Sequence, residues 1–156
     1  MELRNGQLQV VHALDDPNGI TFEGARLRVT AYADLPDQSV TVQLEFQQDG
    51  RRDSAIDRID WRPLHTHGNG NVGPDHCRLR TIVGTHRHEF SLNWLSDLGR
   101  LRTGNLPIAV PVNPDPPDLR SLLEFAEACF RVGGLVTIGP PPWESTLFPR
   151  TTDDSN

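Results

Sequence analysis

Lysine is absent, and all fifteen basic residues are arginine. That excludes Schiff-base and lysine-nucleophile chemistry, and with them the phosphate-binding loop that depends on a Lys. Cysteine is scarce: Cys77 and Cys129 alone cannot build a disulfide scaffold or a Cys-rich zinc module. No Gly-x-Ser-x-Gly elbow occurs, which argues against a serine hydrolase of the α/β type. No apolar run reaches the roughly 18–20 residues that span a bilayer. The opening Met1-Glu2-Leu3-Arg4-Asn5-Gly6-Gln7 lacks the basic start and apolar stretch of a secretory signal. These absences predict a cytoplasmic protein with no membrane partner and with both thiols reduced.

What is present is turn-forming residues, charge and histidine. Thirteen Gly and thirteen Pro in 156 residues imply many turns while staying short of low-complexity composition. The length suits one domain, and we expect a single globular α+β unit over residues 1–149 followed by a disordered polar tail, 150–156. The net charge of −6 argues against a general nucleic-acid binder. It is unevenly spread. Residues 1–50 and 103–156 are acidic, whereas residues 51–102 carry nine Arg against six acidic side chains and five of the six histidines. A basic, His-rich middle between acidic flanks suits one anionic ligand held locally. Solvated arginines on strand faces account for the same swing.

Apolar–polar alternation predicts strands over residues 8–14, 27–35, 40–47 and 56–61, with Asp15-Asp16-Pro17-Asn18-Gly19, Pro36-Asp37 and Asp49-Gly50 as turns. In the last of these strands Ile59 and Trp61 share one side and Arg58, Asp60 and Arg62 the other. Residues 65–75 form a Gly-rich loop, long for a connection within a domain. A strand is expected over 77–83, continuing over 85–90 after a break at Gly84, and a short helix over 91–102, where leucines recur every third residue. Pro116-Pro117-Asp118 then opens a helix over 118–132 with an apolar stripe containing Cys129, closed by Gly133-Gly134. A short strand is expected over 135–138, with Trp143, Leu147 and Phe148 pinning the proline-rich end. The expected fold class is α+β: a mainly antiparallel meander packed on one principal C-terminal helix, with long Gly/Pro-rich loops.

The chemistry-bearing pattern is His65-Thr66-His67, then His76-Cys77, then His86-Arg87-His88. Residues i and i+2 of an extended segment point to one side, so each His-x-His presents two imidazoles together. Two site hypotheses follow. In one, His65, His67, His76, His86 and His88 supply ligands for zinc or another divalent metal, with Asp75 or Cys77 as additional candidates. In the other, His65, His67, His86 and His88 act as general acid and base while Arg78, Arg80 or Arg87 stabilises an anionic phosphoryl transition state. That is the minimal kit for cleaving RNA. The plain alternative is that these histidines are ordinary polar residues on wet strand faces. Asp60 and Glu89 are assigned surface ion pairs, with orientation of an imidazole as their alternative role. Trp61 and Trp94 flank the region and can stack on a base, although alternation assigns Trp61 to the core.

Leu64-His65-Thr66-His67 resembles the His-x-His opening of metal-dependent phosphoesterases of the polymerase-and-histidinol-phosphatase type. It is also similar to the His-x-His strand end of zinc deubiquitinase-like peptidases. The first pattern needs a full barrel after it, and only 89 residues follow His67. The second needs Pro and Asp where Gly68 and Arg78 stand, so no family is assigned. The sequence therefore suggests phosphodiester cleavage, most directly of RNA, in a toxin-like protein. The alternative is a module without catalysis that binds a metal or a protein partner, including an antitoxin or inhibitor whose acidic flanks meet a basic partner.

Overall fold

Period-two alternation dominates the first sixty residues and dictates the architecture. The structure is a computed structural model that describes residues 2–4, 6–47, 54–103 and 105–143. Five strands follow one another: β1 Glu2–Arg4, β2 Gln7–Asp15, β3 Thr21–Tyr32, β4 Val40–Phe46 and β5 Ser54–Trp61. Each pairs antiparallel with the next. The chain then makes a short hairpin from β6 His67–Gly68 and β7 Thr81–Ile82, and rejoins the sheet through β8 His86–His88. A one-turn helix, α1 Phe90–Asn93, leads into a second hairpin, β9 Trp94–Leu95 and β10 Arg100–Leu101. β11 Val110–Pro111 closes the main sheet, whose order is β1-β2-β3-β4-β5-β8-β11. Helix α2, Leu119–Phe130, comes last and is followed by a single 3-10 turn at Leu135–Thr137. The expected antiparallel meander with one main helix is therefore observed.

The two faces of the sheet differ in chemistry. On one face Leu8, Leu27, Val29, Ala31, Val40, Val42, Ile59 and Trp61 pack against Leu119, Leu122, Leu123 and Ala126 of α2. Burial of this apolar area is the main favourable contribution to folding. Trp61 is fully buried here, and its indole N–H donates to the Pro116 carbonyl at 2.9 Å, so it is core and has no face free for a nucleobase. Asp118, expected at the start of this helix, caps α2 by accepting from the Ser121 amide at 2.7 Å. The helix ends at Arg131 in the left-handed region, two residues before the expected glycine pair. Cys129 is half-buried against the core and Trp143 packs on it too, while Leu147, Phe148, the Asp49-Gly50 turn and the tail at 150–156 lie outside the described residues.

Three expected elements are corrected. Over 77–83 only Thr81–Ile82 is strand; residues 75–79 form a turn, with Leu79 exposed at φ +55°. Over 91–102 the expected short helix is not formed; only one turn, Phe90–Asn93, is helical. Asn93 turns inward after one turn, the chain reverses through Gly99 at φ +58°, and Leu98 is left exposed. Residues 135–137 form a 3-10 turn instead of a strand because the Glu127 carboxylate accepts from the Leu135 amide at 2.6 Å. That bond ties the segment to α2 and satisfies a backbone donor that a strand would offer to a neighbour. No helix among the described residues is long and apolar enough to cross a membrane, and Cys77 and Cys129 are both free thiols.

The opposite face of the sheet is polar. Glu45 is buried there and accepts from Arg26 Nε at 2.8 Å, Arg28 Nε at 2.8 Å and Gln43 Nε2 at 2.6 Å. Burial disfavours the ionised form of Glu45, but the bonds from Arg28, Arg26 and Gln43 more than offset it and hold the carboxyl below its ordinary value. A carboxyl depressed in this way stabilises the fold above the unfolded-state value near 4.5, and that stabilisation is lost as pH falls through the folded value. Glu45→Gln is expected to cost about 2–3 kcal/mol at pH 7. In urea unfolding at stepped pH, the gap between wild type and variant should narrow as the pH drops below about 4; a gap independent of pH would contradict the pairing.

Candidate metal centre

Antiparallel register assembles the site. β5 and β8 pair so that Asp60 lies opposite His86 and Arg58 opposite His88. Directly opposed residues project to the same face, and i, i+2 alternation adds the second member from each strand. Two carboxylate-or-cation positions and two imidazoles thus share one patch of the polar face. His67 joins from β6, whose pairing with β7 through His67 and Ile82 holds it over that patch. The three rings touch: centroids of His67 and His88 are 4.6 Å apart, His86 and His88 5.1 Å, His67 and His86 5.3 Å. One ring nitrogen from each lies within 4.8 Å of the other two. His88 has no solvent exposure, His86 is 3% exposed, and His67 is half-buried.

Backbone carbonyls decide how each ring is protonated. His86 Nδ1 is 2.8 Å from the Gly84 carbonyl, His88 Nδ1 2.6 Å from the Leu106 carbonyl, and His67 Nε2 3.1 Å from the Pro107 carbonyl. A carbonyl oxygen only accepts, so each of these nitrogens is the N–H donor. In the neutral ring the other nitrogen then carries the lone pair. His88 Nε2, 2.8 Å from the donor-only Arg58 Nη2, is thereby an acceptor, while His86 Nε2 faces the Asp60 carboxylate at 3.5 Å. Gly84 makes its bond possible through φ +79°, a left-handed conformation that returns its carbonyl to a ring two residues later.

Asp60 completes the group. Its Oδ2 lies 3.1 Å from His88 Nε2 and 3.5 Å from His86 Nε2, accepts from Arg58 Nε at 2.9 Å, and its Oδ1 accepts from Thr41 Oγ1 at 2.8 Å. Burial opposes ionisation of Asp60, yet hydrogen bonds with the His86 and His88 rings and the charge of Arg58 outweigh it and hold the carboxyl far below the usual carboxylate range. Burial pushes the His88 imidazole down, and Arg58 reinforces the shift against the opposing Asp60 carboxylate. Burial lowers His67 as well, with His86 and Arg58 adding to it and the Pro107 bond opposing. Burial thus favours the neutral form of His67 and His88 beside an ionised Asp60 carboxylate.

A short strap positions the two carbonyls above it. Residues 105–109 run across the polar face, with Leu106, Ile108 and Ala109 buried. Two buried asparagines hold the strap by imitating a strand. The Asn93 side chain donates to Ile108 O at 2.8 Å and to Glu89 O at 2.8 Å, and accepts from Ile108 N at 3.0 Å. Asn69 donates to Ala109 O and Cys77 O and accepts from Ala109 N, each at 2.9 Å. Asn105 and Leu106 adopt φ of 55° and 60°, costing about 1–2 kcal/mol each for a residue with a β-carbon. Gly73 lies beneath, where a β-carbon would collide with the Ile108 side chain.

The site residues expected from sequence separate into two groups. His67, His86 and His88 are brought together. His65 and His76 are exposed and outside the cluster, because His65 sits in a bend where alternation fails and His76 in the 75–79 turn. Arg78 and Arg80 are also exposed; Arg78 is used locally, donating to Gly73 O at 2.7 Å and pairing with Asp75 at 3.1 Å. Arg87 faces α2 and pairs with Asp57 at 2.8 Å. Asp60 makes the ion pair expected of it, with Arg58, and also contacts His86 and His88. Arg58 and the buried Asn69 and Asn93 were not anticipated. Alternation with Asp60 is the signal that could have found Arg58; the carbonyl contacts carry no signature, since every residue has a carbonyl.

Comparison with known protein families, with curated proteins and with solved structures finds no match to this chain. The strap can be tested directly. Asn93→Ala strips the partner from the Ile108 amide and carbonyl, and urea unfolding should show a loss of about 2–4 kcal/mol as a lower midpoint at unchanged slope. A change below about 0.5 kcal/mol would be that of an ordinary surface site.

Proposed function

We propose that this protein binds a divalent first-row transition metal, zinc foremost, through His67, His86 and His88 with Asp60 as the fourth ligand. The observation that carries this reading is the common hydrogen-bonding pattern of the three rings. Each ring has one nitrogen on a backbone carbonyl, and one ring nitrogen of each lies within 4.8 Å of the other two; a carbonyl on the far nitrogen is how metal-bound histidines are held. Neutral imidazole suits zinc, and a carboxylate completes a mixed N/O set. Tetrahedral bonds of 2.0–2.1 Å place neighbouring ligand atoms about 3.3 Å apart, and Asp60 Oδ2 stands at 3.1 and 3.5 Å from the Nε2 atoms of His88 and His86.

Four protein ligands close the coordination sphere, so the role we assign is structural. The ion links β5 and β8 of the sheet to the β6 hairpin, elements joined mainly by loops. Acid–base cleavage of RNA needs the same imidazoles to reach a polymer, and the burial of His86 and His88 weighs for the metal.

Protein stripped with chelator and reloaded with zinc should hold one zinc per chain by elemental analysis. At free zinc a hundredfold above Kd it should gain about 2.7 kcal/mol of stability. His67→Ala, His86→Ala and His88→Ala should each abolish stoichiometric uptake, while His65→Ala and His76→Ala retain it. No zinc uptake by wild type, or equal loss in the His65 and His76 variants, would overturn the reading. Cleavage of RNA by chelated protein, lost in His67→Ala, would favour catalysis instead.

A further inference from the structure

Arg58 occupies an unusual place for a cation. Its Nη2 lies 2.8 Å from His88 Nε2 and its Nε 2.9 Å from Asp60 Oδ2, and its side chain is only 15% exposed. Because His88 Nδ1 donates to the Leu106 carbonyl at 2.6 Å, Nε2 is the acceptor and Arg58 Nη2 the donor. A ring nitrogen has a single in-plane lone pair. It can take Arg58 or a metal, never both. A carboxylate oxygen has two lone pairs, so Asp60 Oδ2 can keep its bond to Arg58 Nε while also ligating an ion.

We propose that Arg58 is a built-in competitor for the metal: its guanidinium stands in for the ion at His88, and metal enters by displacing Nη2 while Nε stays on Asp60. This rests on the metal reading above and adds to it the residue that sets the affinity. The register that pairs Arg58 with His88 makes the competition a property of the sheet, present in every molecule. The competition has two consequences. Arg58 weakens binding, through the lone pair it holds and through repulsion between like charges in a poorly screened site. It also stabilises the protein without metal, since it neutralises a buried carboxylate and satisfies a buried nitrogen.

The test is a Co²⁺ titration of chelated wild type and Arg58→Gln, followed by the visible absorption of tetrahedral cobalt, with zinc as competitor. Arg58→Gln is expected to bind Co²⁺ at least tenfold more tightly, to melt lower when chelated, and to gain more in Tm on loading than wild type does. Should Arg58→Gln not fold, Arg58→Lys keeps a charge for Asp60, has no second nitrogen for His88, and should bind severalfold more tightly. Cobalt binding by the variant alone, with none by wild type, also supports the competition. Equal or weaker binding by the variant overturns it and leaves the metal reading intact. No binding by either protein overturns both.

Discussion

A backbone carbonyl accepts hydrogen bonds and cannot donate them, and that restriction governs the centre of this molecule. The carbonyls of Gly84, Leu106 and Pro107 each face one imidazole nitrogen, so the tautomer of every ring follows from the path of the main chain. One ring nitrogen of each histidine is held within 4.8 Å of the other two, beside an ionised Asp60. Without those carbonyls the rings could rotate or change tautomer, and the same side chains would make an ordinary polar patch. The chain that supplies them departs from relaxed geometry, with positive φ at Gly84, Asn105 and Leu106. The hydrogen bonds of Asn69 and Asn93 and the burial of Leu106 and Ile108 offset the conformational cost.

The centre belongs to a wider division of the sheet. One face supplies the hydrophobic core with α2. The other carries rows of polar side chains that meet in register: Thr30, Thr41, Asp60 and His86 in one row, Arg28, Gln43, Arg58 and His88 in the next. Buried charge on this face is tolerated because each group is matched. Glu45 sits between two arginines, and Asp60 between Arg58, Thr41 and the imidazoles. Breaking such a set leaves an unpaired buried charge, which is why its members act together. Arg58 belongs to both descriptions, as part of the polar row and as the group that a metal must move.

The strands were legible in the sequence because a half-buried strand writes its geometry as alternation. Trp61 was assigned to the core and Arg58 and Asp60 to the opposite side on that basis, and both assignments hold. The start of α2 at Pro117-Asp118 was legible for a similar reason, since the signals that open a helix are local. Less was legible between residues 63 and 109. The 91–102 leucines mimic a helical stripe, yet Asn93 has partners on the strap that no local pattern announces. His65 and His67 look equivalent in a His-x-His string, and one bend sends them to different surroundings.

The amino-acid sequence by itself determined which side chains could share a face, because alternation along a strand is a property of neighbouring residues. It placed His86 with His88 and Arg58 with Asp60. Only the tertiary structure decided that these pairs would meet, since that depends on the register between β5 and β8 and on the hairpin that brings in His67. Register is set by the sum of many pairings along the sheet. The tautomers depend on carbonyls at positions 84, 106 and 107, which every residue type supplies alike, so their role becomes visible only once the chain is folded around them.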